Sequence, residues 1–219
     1  MPARERREHI LEKAAEVFSR KGYRMASVSD IVEEAVIGRG TFYLYFDSKK
    51  EIFLELIEAY FKGFADLLEE NHRQLEDAFR TSGGGVLRTW RENMMRVLKY
   101  HKDNPHLTAI TYREALGRDE DFSARVEELS KLAREKLEEE FRMMYERGMM
   151  RRCDVDVVTS IVMGSTINVI MEHLLMGSDR DLDSLADMTV EYHIRALVPE
   201  EGDVSRAIRG ALPDEEPGE

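Results

Sequence analysis

One short stretch of the chain gathers the side chain types that contact DNA. Residues 39–49 carry an arginine, a lysine, a threonine, two tyrosines and a glycine. Arginine donates to base edges or phosphate, and lysine and hydroxyl groups suit phosphate oxygens, while glycine lets a backbone approach closely. The predicted DNA contacts, with the serine that begins the preceding helix, are Ser27, Arg39, Gly40, Thr41, Tyr43, Tyr45 and Lys49. The alternative for Tyr43 and Tyr45 is that they pack in the core and do not contact DNA.

Two capped helix starts frame this stretch. Ser27 can accept from the backbone N–H of Asp30, and Ser48 precedes Glu51 in the spacing of a capping box. The segment between them predicts two short helices joined by a three-residue turn, residues 36–38. This is the pattern of a helix-turn-helix, whose second helix enters the major groove. Phe42 and Phe46, four residues apart, are expected to face the core.

The rest of the chain predicts an all-α protein of about nine or ten helices. Pro105 is the only proline between Pro2 and Pro199, so helices can run long on both sides of it. Apolar residues follow the helical period, and sustained alternation typical of strands is absent from the sequence. Helices are expected near residues 3–21, 28–35, 39–45, 48–80, 86–102, 106–117, 120–148, 154–177 and 182–198. We expect a helix-turn-helix domain over residues 1–47 and a larger helical domain over 48–219, with an acidic tail at 199–219.

Charge divides the chain into a basic head and an acidic body. Residues 1–50 hold 10 basic and 8 acidic residues, a balance of +2, within a total net charge of −12, so the remainder carries −14. This suggests that the head meets a polyanion that repels the body. The N-terminus lacks the apolar stretch of a signal peptide, and the apolar run at 157–178 carries too many polar residues for a membrane span. We therefore expect a cytoplasmic protein.

Catalytic and metal-binding patterns are weak. The sequence lacks a G-x-S-x-G elbow and a P-loop, and its six histidines show no ligand spacing. A single cysteine, Cys153, excludes an internal disulfide. We expect neither an enzyme nor a metal or cofactor.

The last two predicted helices are apolar on too many sides for one chain to cover. A second copy offering the same pair would complete a four-helix bundle around a two-fold axis. The residues predicted for this interface are Val158, Ile161, Gly164, Ile167, Ile170, Leu174, Leu185, Met188 and Tyr192. A buried central helix of a monomer is the alternative.

Large apolar side chains in the middle of the body suggest a ligand cavity, with three polar groups to orient the ligand. The predicted ligand-binding residues are Trp90, Met94, Tyr112, Phe141, Met144, Asn168, Glu172 and His173. Such a site would take an apolar or aromatic ligand. An ordinary core with a satisfied polar network is the alternative.

The first 55 residues or so resemble the TetR (tetracycline-repressor-like) family of transcriptional regulators. The matching segments are Ile10-Leu11-x-x-Ala14-Ala15-x-x-Phe18, Gly22-Tyr23, Ser27-Val28-x-x-Ile31, Ala35, and Gly40-Thr41-Phe42-Tyr43-x-Tyr45-Phe46-x-Ser48-Lys49-x-x-Ile52-Phe53. The resemblance implies a homodimer whose N-terminal domain binds a palindromic operator. It also implies a C-terminal domain that binds a small molecule and releases DNA, most often as a repressor. A helical ligand-binding or catalytic bundle without DNA binding is the alternative, and a purely structural dimerisation protein is a further one.

The sequence departs from the family in the turn. Val36 stands where a glycine is expected, and valine is costly at positive φ. Either the turn avoids that conformation, or Gly38 takes over the role of the glycine.

Overall fold

The computed structural model describes residues 2–81, 85–114 and 120–199, and all the regular elements in these ranges are helical. The all-α prediction is therefore confirmed. The α-helices are α1 Ala3–Lys21, α2 Val28–Glu34, α3 Arg39–Tyr43, α4 Lys49–Thr81, α5 Val86–Asp103, α6 Pro105–Glu114, α7 Glu120–Glu146, α8 Val155–Val169 and α9 Leu182–Leu197. A π-helical segment, Ile170–Leu175, continues α8. The acidic tail beyond Pro199 lies outside the described residues.

Local chemistry sets the helix ends. α1 stops at Gly22, which takes a φ of 77° and donates its N–H to the Phe18 carbonyl at 2.8 Å; glycine adopts this left-handed conformation without steric cost. α6 begins at Pro105, where the missing N–H costs nothing. Asp154 and Asp181 accept backbone N–H groups at the starts of α8 and α9.

The chain forms two compact units that are not consecutive in sequence. The first comprises Met1–Phe64 and Lys102–Leu129, and the second comprises Ala65–His101 and Ser130–Glu219. α6 and the first half of α4 thus cluster with the helix-turn-helix. The predicted functional division after residue 47 stays a prediction.

The first unit has an aromatic and aliphatic core between α1, α2, α3 and α4. The Phe18 ring meets the Phe53 ring edge-on at 5.3 Å, and Tyr23 stacks on Phe53 at 4.2 Å. α1 packs against both α2 and α6. The Tyr60 hydroxyl lies 3.1 Å from Thr108 Oγ1, which joins α4 to α6 inside the core.

Polar contacts as well as apolar packing hold the helices of the second unit together. Asn71 of α4 and Asn93 of α5 each donate a side chain amide to the other's backbone carbonyl, at 3.3 and 2.9 Å. Arg91 of α5 bonds to Asp183 and Asp187 of α9. Both sets of contacts tie α5 to a neighbouring helix.

The helix Val155–Leu175 is the one element of the described residues that is long and apolar enough to cross a membrane by length and composition. Only 22% of its most apolar window is buried within the chain. A single chain therefore leaves most of this apolar helix uncovered, as the sequence predicts, and does not bury it as the central helix of a monomer would be buried.

Candidate nucleic-acid interface

The start of α2 is fixed by a reciprocal capping box. Asp30 N donates to Ser27 Oγ at 3.2 Å, and Ser27 N donates to the Asp30 carboxylate at 2.8 Å. Lys21 bonds to the same carboxylate at 2.6 Å and, with Ser27, lowers the pKa of Asp30 to about 2. Ser27 is exposed, which a DNA contact requires, but its hydroxyl also donates to Asp30 at 2.8 Å. Its predicted contact with DNA stays a prediction.

The turn between α2 and α3 is a Schellman motif built on a valine. Val36 N donates to the Glu33 carbonyl at 3.1 Å, and Ile37 N donates to the Val32 carbonyl at 3.0 Å. Val36 sits at the position that glycine normally fills, with a φ of 53° and its side chain 88% exposed. Strain of this kind costs roughly 1–3 kcal/mol.

Both expectations for this turn are wrong. The turn does not avoid positive φ, because Val36 itself adopts it. Gly38 does not take over the role, because it has an ordinary extended conformation with a φ of −79° at the N-cap of α3. The two backbone bonds of the turn hold the valine in place, so the departure from the family pattern changes the residue and not the turn.

α3 divides into a buried face and an exposed face. Phe42 and Phe46 are fully buried, as predicted, and their ring centroids lie 5.9 Å apart. Thr41 and Tyr45 are half-buried beside them. Arg39, Gly40, Tyr43 and Leu44 are exposed. The Tyr43 ring meets the Phe42 ring edge-on at 5.4 Å, so packing sets its direction although the side chain is exposed.

Neither the backbone angle nor the packing among the described residues requires a glycine at position 40. Its φ is not in the left-handed region, and a Cβ built on it would meet nothing within 4 Å. A helical glycine costs roughly 1 kcal/mol relative to alanine. The absent side chain thus leaves room for something outside the protein.

A hydrogen bond within the chain holds the Arg39 side chain in position in the absence of DNA. Its guanidinium donates to Ser29 Oγ of α2, which links the two helices of the motif. The group is exposed and keeps further N–H donors, since a guanidinium has five. Arg39 can therefore contact DNA without losing this bond.

Lys49 differs from its prediction as a phosphate contact. Its ammonium donates to the carbonyls of Tyr23 and Ala26 at 2.7 and 2.8 Å and lies 4.4 Å from the centroid of the Tyr23 ring. Burial lowers the pKa of this group. In this structure the half-buried Lys49 holds the segment before α2 against the start of α4.

Sequence reasoning missed a pair that fixes the end of α3. Arg7 of α1 donates to both carboxylate oxygens of Glu55 of α4, at 2.6 and 2.5 Å. The Arg7 guanidinium also lies 4.7 Å from the centroid of the Phe46 ring. The partners are 48 residues apart, so no local spacing could reveal the pair.

The predicted ligand-binding residues are divided between the two units and differ in exposure. Trp90, Met94, Phe141 and Met144 are buried in the second unit, and the Trp90 and Phe141 rings meet edge-on at 6.2 Å. Tyr112 belongs to the first unit, and burial raises the pKa of its hydroxyl. Asn168 and Glu172 are exposed and His173 is half-buried. The prediction that Asn168 and Glu172 lie inside an apolar interior is therefore wrong for a single chain.

The polar group that does lie beside Trp90 is His193, which the sequence reasoning passed over. It is 2% exposed, its ring centroid is 6.2 Å from that of Trp90, and burial lowers its pKa to about 4. Its Nε2 lies 2.8 Å from Ser165 Oγ, whose single proton is donated to the Val162 carbonyl. With the Ser165 hydroxyl in this bond, the neutral ring carries its proton on Nε2 and donates it to Ser165 Oγ. Nδ1 is left as a buried acceptor without a hydrogen-bond partner in the described part of the chain.

The predicted interface residues divide between surface and core. Ile161, Gly164, Ile167, Met188 and Tyr192 are exposed, and Val158 and Leu174 are half-buried. Ile170 and Leu185 are wrong as predictions, because they are 2% and 3% exposed and pack inside the chain. The apolar helix buries one side within its own chain, and periodicity alone could not tell which. Val157 and Met176 are exposed apolar residues that the prediction omitted.

The capped α2, the tight turn and the outward face of α3 together define a helix-turn-helix DNA-binding protein. The profile of the family described as bacterial regulatory proteins, tetR family, matches residues 10–56. YdgC of Bacillus subtilis (strain 168), an uncharacterized HTH-type transcriptional regulator, is 30% identical over 204 residues, which cover 91% of this chain and 96% of that protein. The chain therefore belongs to the tetR family and is a DNA-binding transcriptional regulator.

Solved structures share the fold over nearly the whole chain. The ketosteroid transcriptional regulator KstR2 of Mycobacterium tuberculosis has a TM-score of 0.70 at 24% identity, over 89% of this chain and 96% of that one. The transcriptional regulator FadR of Bacillus subtilis, solved in complex with stearoyl-CoA, has a TM-score of 0.63 at 19% identity, over 85% of this chain and 97% of that one.

Replacing Gly40 by alanine should separate DNA binding from folding. We expect the free energy of unfolding to stay the same or rise by up to about 1 kcal/mol, because alanine favours the helix. Affinity for a specific DNA site should fall about tenfold, because the added methyl occupies space that the DNA needs. Chemical denaturation and a binding titration at fixed salt measure the two effects.

Glu12→Ala, at an exposed position of α1, is the control and should change neither quantity appreciably. Equal DNA affinity for Gly40→Ala and the parent chain would remove Gly40 from the interface.

Proposed function

We propose that the protein is a homodimeric repressor that leaves a palindromic operator when a small, largely apolar effector binds to its second unit. The single observation that carries this proposal is the exposed face of α3, where the exposed side chains of Arg39, Tyr43 and Leu44 surround a glycine that the chain itself does not need. The proposed contacts are the residues predicted from the sequence, with Lys49 as a positioning residue instead of a phosphate ligand.

The exposed apolar surface of α8 and α9 supports the dimer. Ile161 is 56% exposed and Tyr192 is 66% exposed, on two helices that pack against each other. Gly164, on the exposed side of α8, resembles Gly40 in that a Cβ there would meet nothing within 4 Å. A second copy of the same two helices would cover this surface and could approach closely at Gly164.

A second chain explains the apolar helix better than a membrane does. A soluble regulator that binds DNA works in the bacterial cytoplasm, and its longest apolar helix then needs a protein partner. The run also contains Thr159, Ser160, Asn168 and Glu172, whose polar groups are costly in lipid. The exposed side of the apolar helix is thus the proposed dimer interface.

The surroundings of Trp90 suggest the chemistry of the effector. Trp90, Phe141 and Met144 supply apolar surface. Nδ1 of His193, which has no hydrogen-bond partner among the described residues, supplies one hydrogen-bond acceptor. An effector with an apolar body and one hydrogen-bond donor would satisfy both. Two proteins of the same fold are a ketosteroid regulator and a regulator solved with stearoyl-CoA. The stearoyl chain of that ligand, though not its charged CoA part, agrees with a largely apolar effector.

Release of DNA follows from linkage between the two sites. Two α3 helices must stand about 34 Å apart to enter successive major grooves. An effector that binds better when this spacing is lost lowers the affinity for DNA. Because linkage is reciprocal, DNA lowers the affinity for the effector by the same factor. α4 is the candidate for carrying the change, because it runs from Lys49 in the first unit to Thr81 in the second. Binding and release, and not catalysis, is the proposed activity.

Selection of bound fragments from random DNA by the full chain tests the proposed function. We expect a palindrome whose half-sites are centred about 10 base pairs, or a multiple of that, apart. Affinity should fall steeply with salt, because phosphate contacts release counterions. Recovery of no preferred sequence, or of a single asymmetric half-site, would contradict the proposal.

Replacing Ile167 by glutamate should produce a folded monomer. Two carboxylates would be buried near the two-fold axis without partners, which is costly. Sedimentation velocity should show the loss of the dimer, and operator affinity should fall at least about tenfold because one α3 helix binds alone.

Ile167→Leu keeps the apolar surface and is the matched control, so it should remain dimeric. If the Ile167→Glu chain formed a dimer as stable as that of the parent, the interface would lie elsewhere.

Trp90 is the only tryptophan of the chain, so its fluorescence reports on one site. We expect apolar alcohols, tested as straight-chain and sterol pairs with their methyl ethers, to change its emission. The alcohols should bind more tightly than the ethers, because only a hydroxyl can donate to His193 Nδ1. The same alcohols should lower operator affinity.

His193→Phe should remove the difference between each alcohol and its ether, and Trp90→Phe should remove the signal. An ether that binds as tightly as its alcohol to the parent chain would exclude His193 from the effector site.

A further inference from the structure

Leu44, at the end of α3, is an apolar side chain that the fold does not use. It is 81% exposed, and Val36 of the turn, at 88%, is the other aliphatic side chain of the motif with such exposure. Single exposed leucines are common on protein surfaces. This one, however, lies on the outward side of α3, the helix that a helix-turn-helix places in the major groove.

Helical geometry places Leu44 beside Gly40. Leu44 keeps a right-handed helical conformation, with a φ of −77° and a ψ of −19°, so the turn of about 100° per residue continues to it. Phe42 and Phe46 mark the inward side of the helix. On the outward side Gly40 then lies between Tyr43 and Leu44, so these two side chains flank a position that has no side chain of its own.

The major groove offers one apolar group to such a side chain. Base edges there present donors and acceptors, except for the 5-methyl group of thymine. Arg39 can meet the polar edges, but a leucine gains nothing from them and would desolvate them at a cost. Close approach of the backbone at Gly40 brings Leu44 to the depth of the base edges.

We propose that Leu44 recognises the 5-methyl group of one thymine in each half-site of the operator. The proposal rests on the proposed function, in which the outward face of α3 enters the major groove. Leu44 is then a specificity-determining residue that selects T·A at one position by van der Waals contact, while Arg39 and the tyrosines supply the polar contacts.

The test replaces thymine by deoxyuridine, which keeps the base pair and removes only the methyl group. The operator is the one that the full chain selects from random DNA. Each thymine is replaced in turn, symmetrically in both half-sites, and affinities are measured at fixed salt. For the parent chain we expect one position at which the loss is about fourfold per half-site, or about 15-fold in total, which is the effect of one buried methyl group per half-site.

Leu44→Ala should bind the thymine and deoxyuridine operators equally at that position, and Leu44→Met should retain most of the preference. Met25→Ala is the matched control, because Met25 is 79% exposed in the same unit but lies before α2; it should keep the full preference. Failure to select any DNA sequence would refute the proposed function. Selection of an operator in which no thymine methyl matters, or one that matters equally to Leu44→Ala, would overturn this inference alone.

Discussion

Burial of Phe42 and Phe46 is the constraint on which the DNA-binding surface depends. A helix of five residues cannot hold itself in water, because nucleation costs more than so few hydrogen bonds return. α3 therefore takes its place from the core that receives its two phenylalanines. Arg7 lies over the Phe46 ring and is held by Glu55, so α1 and α4 together decide where the outward face points.

The polar contacts around this core hold backbone segments in position more than they present charge to DNA. Lys49 gives its hydrogen bonds to carbonyls of the segment before α2, and Asp30 gives its carboxylate to Ser27 and Lys21. Val36 tolerates a left-handed backbone because both bonds of its turn are made. A basic residue near a recognition helix is thus not by itself a contact with DNA. A residue other than glycine can occupy a turn position that glycine normally fills, because the hydrogen bonds of the neighbouring residues hold its backbone in the required conformation.

The sequence predicted the helices well and their exposed faces only in part. Apolar period, caps and proline placed most described helix ends within about two residues, because these signals are local. Burial of Phe42 followed from the same period. The Arg7–Glu55 pair and the placement of His193 beside Trp90 depend on contacts between distant segments, which no spacing encodes. Ile170 and Leu185 were assigned to the wrong side because a helix that is apolar all round does not reveal which side its own chain covers.

Gly40 and Gly164 are both glycines whose missing Cβ leaves empty space in the isolated chain. Stability therefore places no demand on either position, and alanine would suit the helix better at both. A survey of variants scored by thermal denaturation would rate these positions as freely replaceable. The same survey scored by gene expression in the cell would rate them as restricted. The difference between the two scores would map the surfaces that this protein reserves for other molecules.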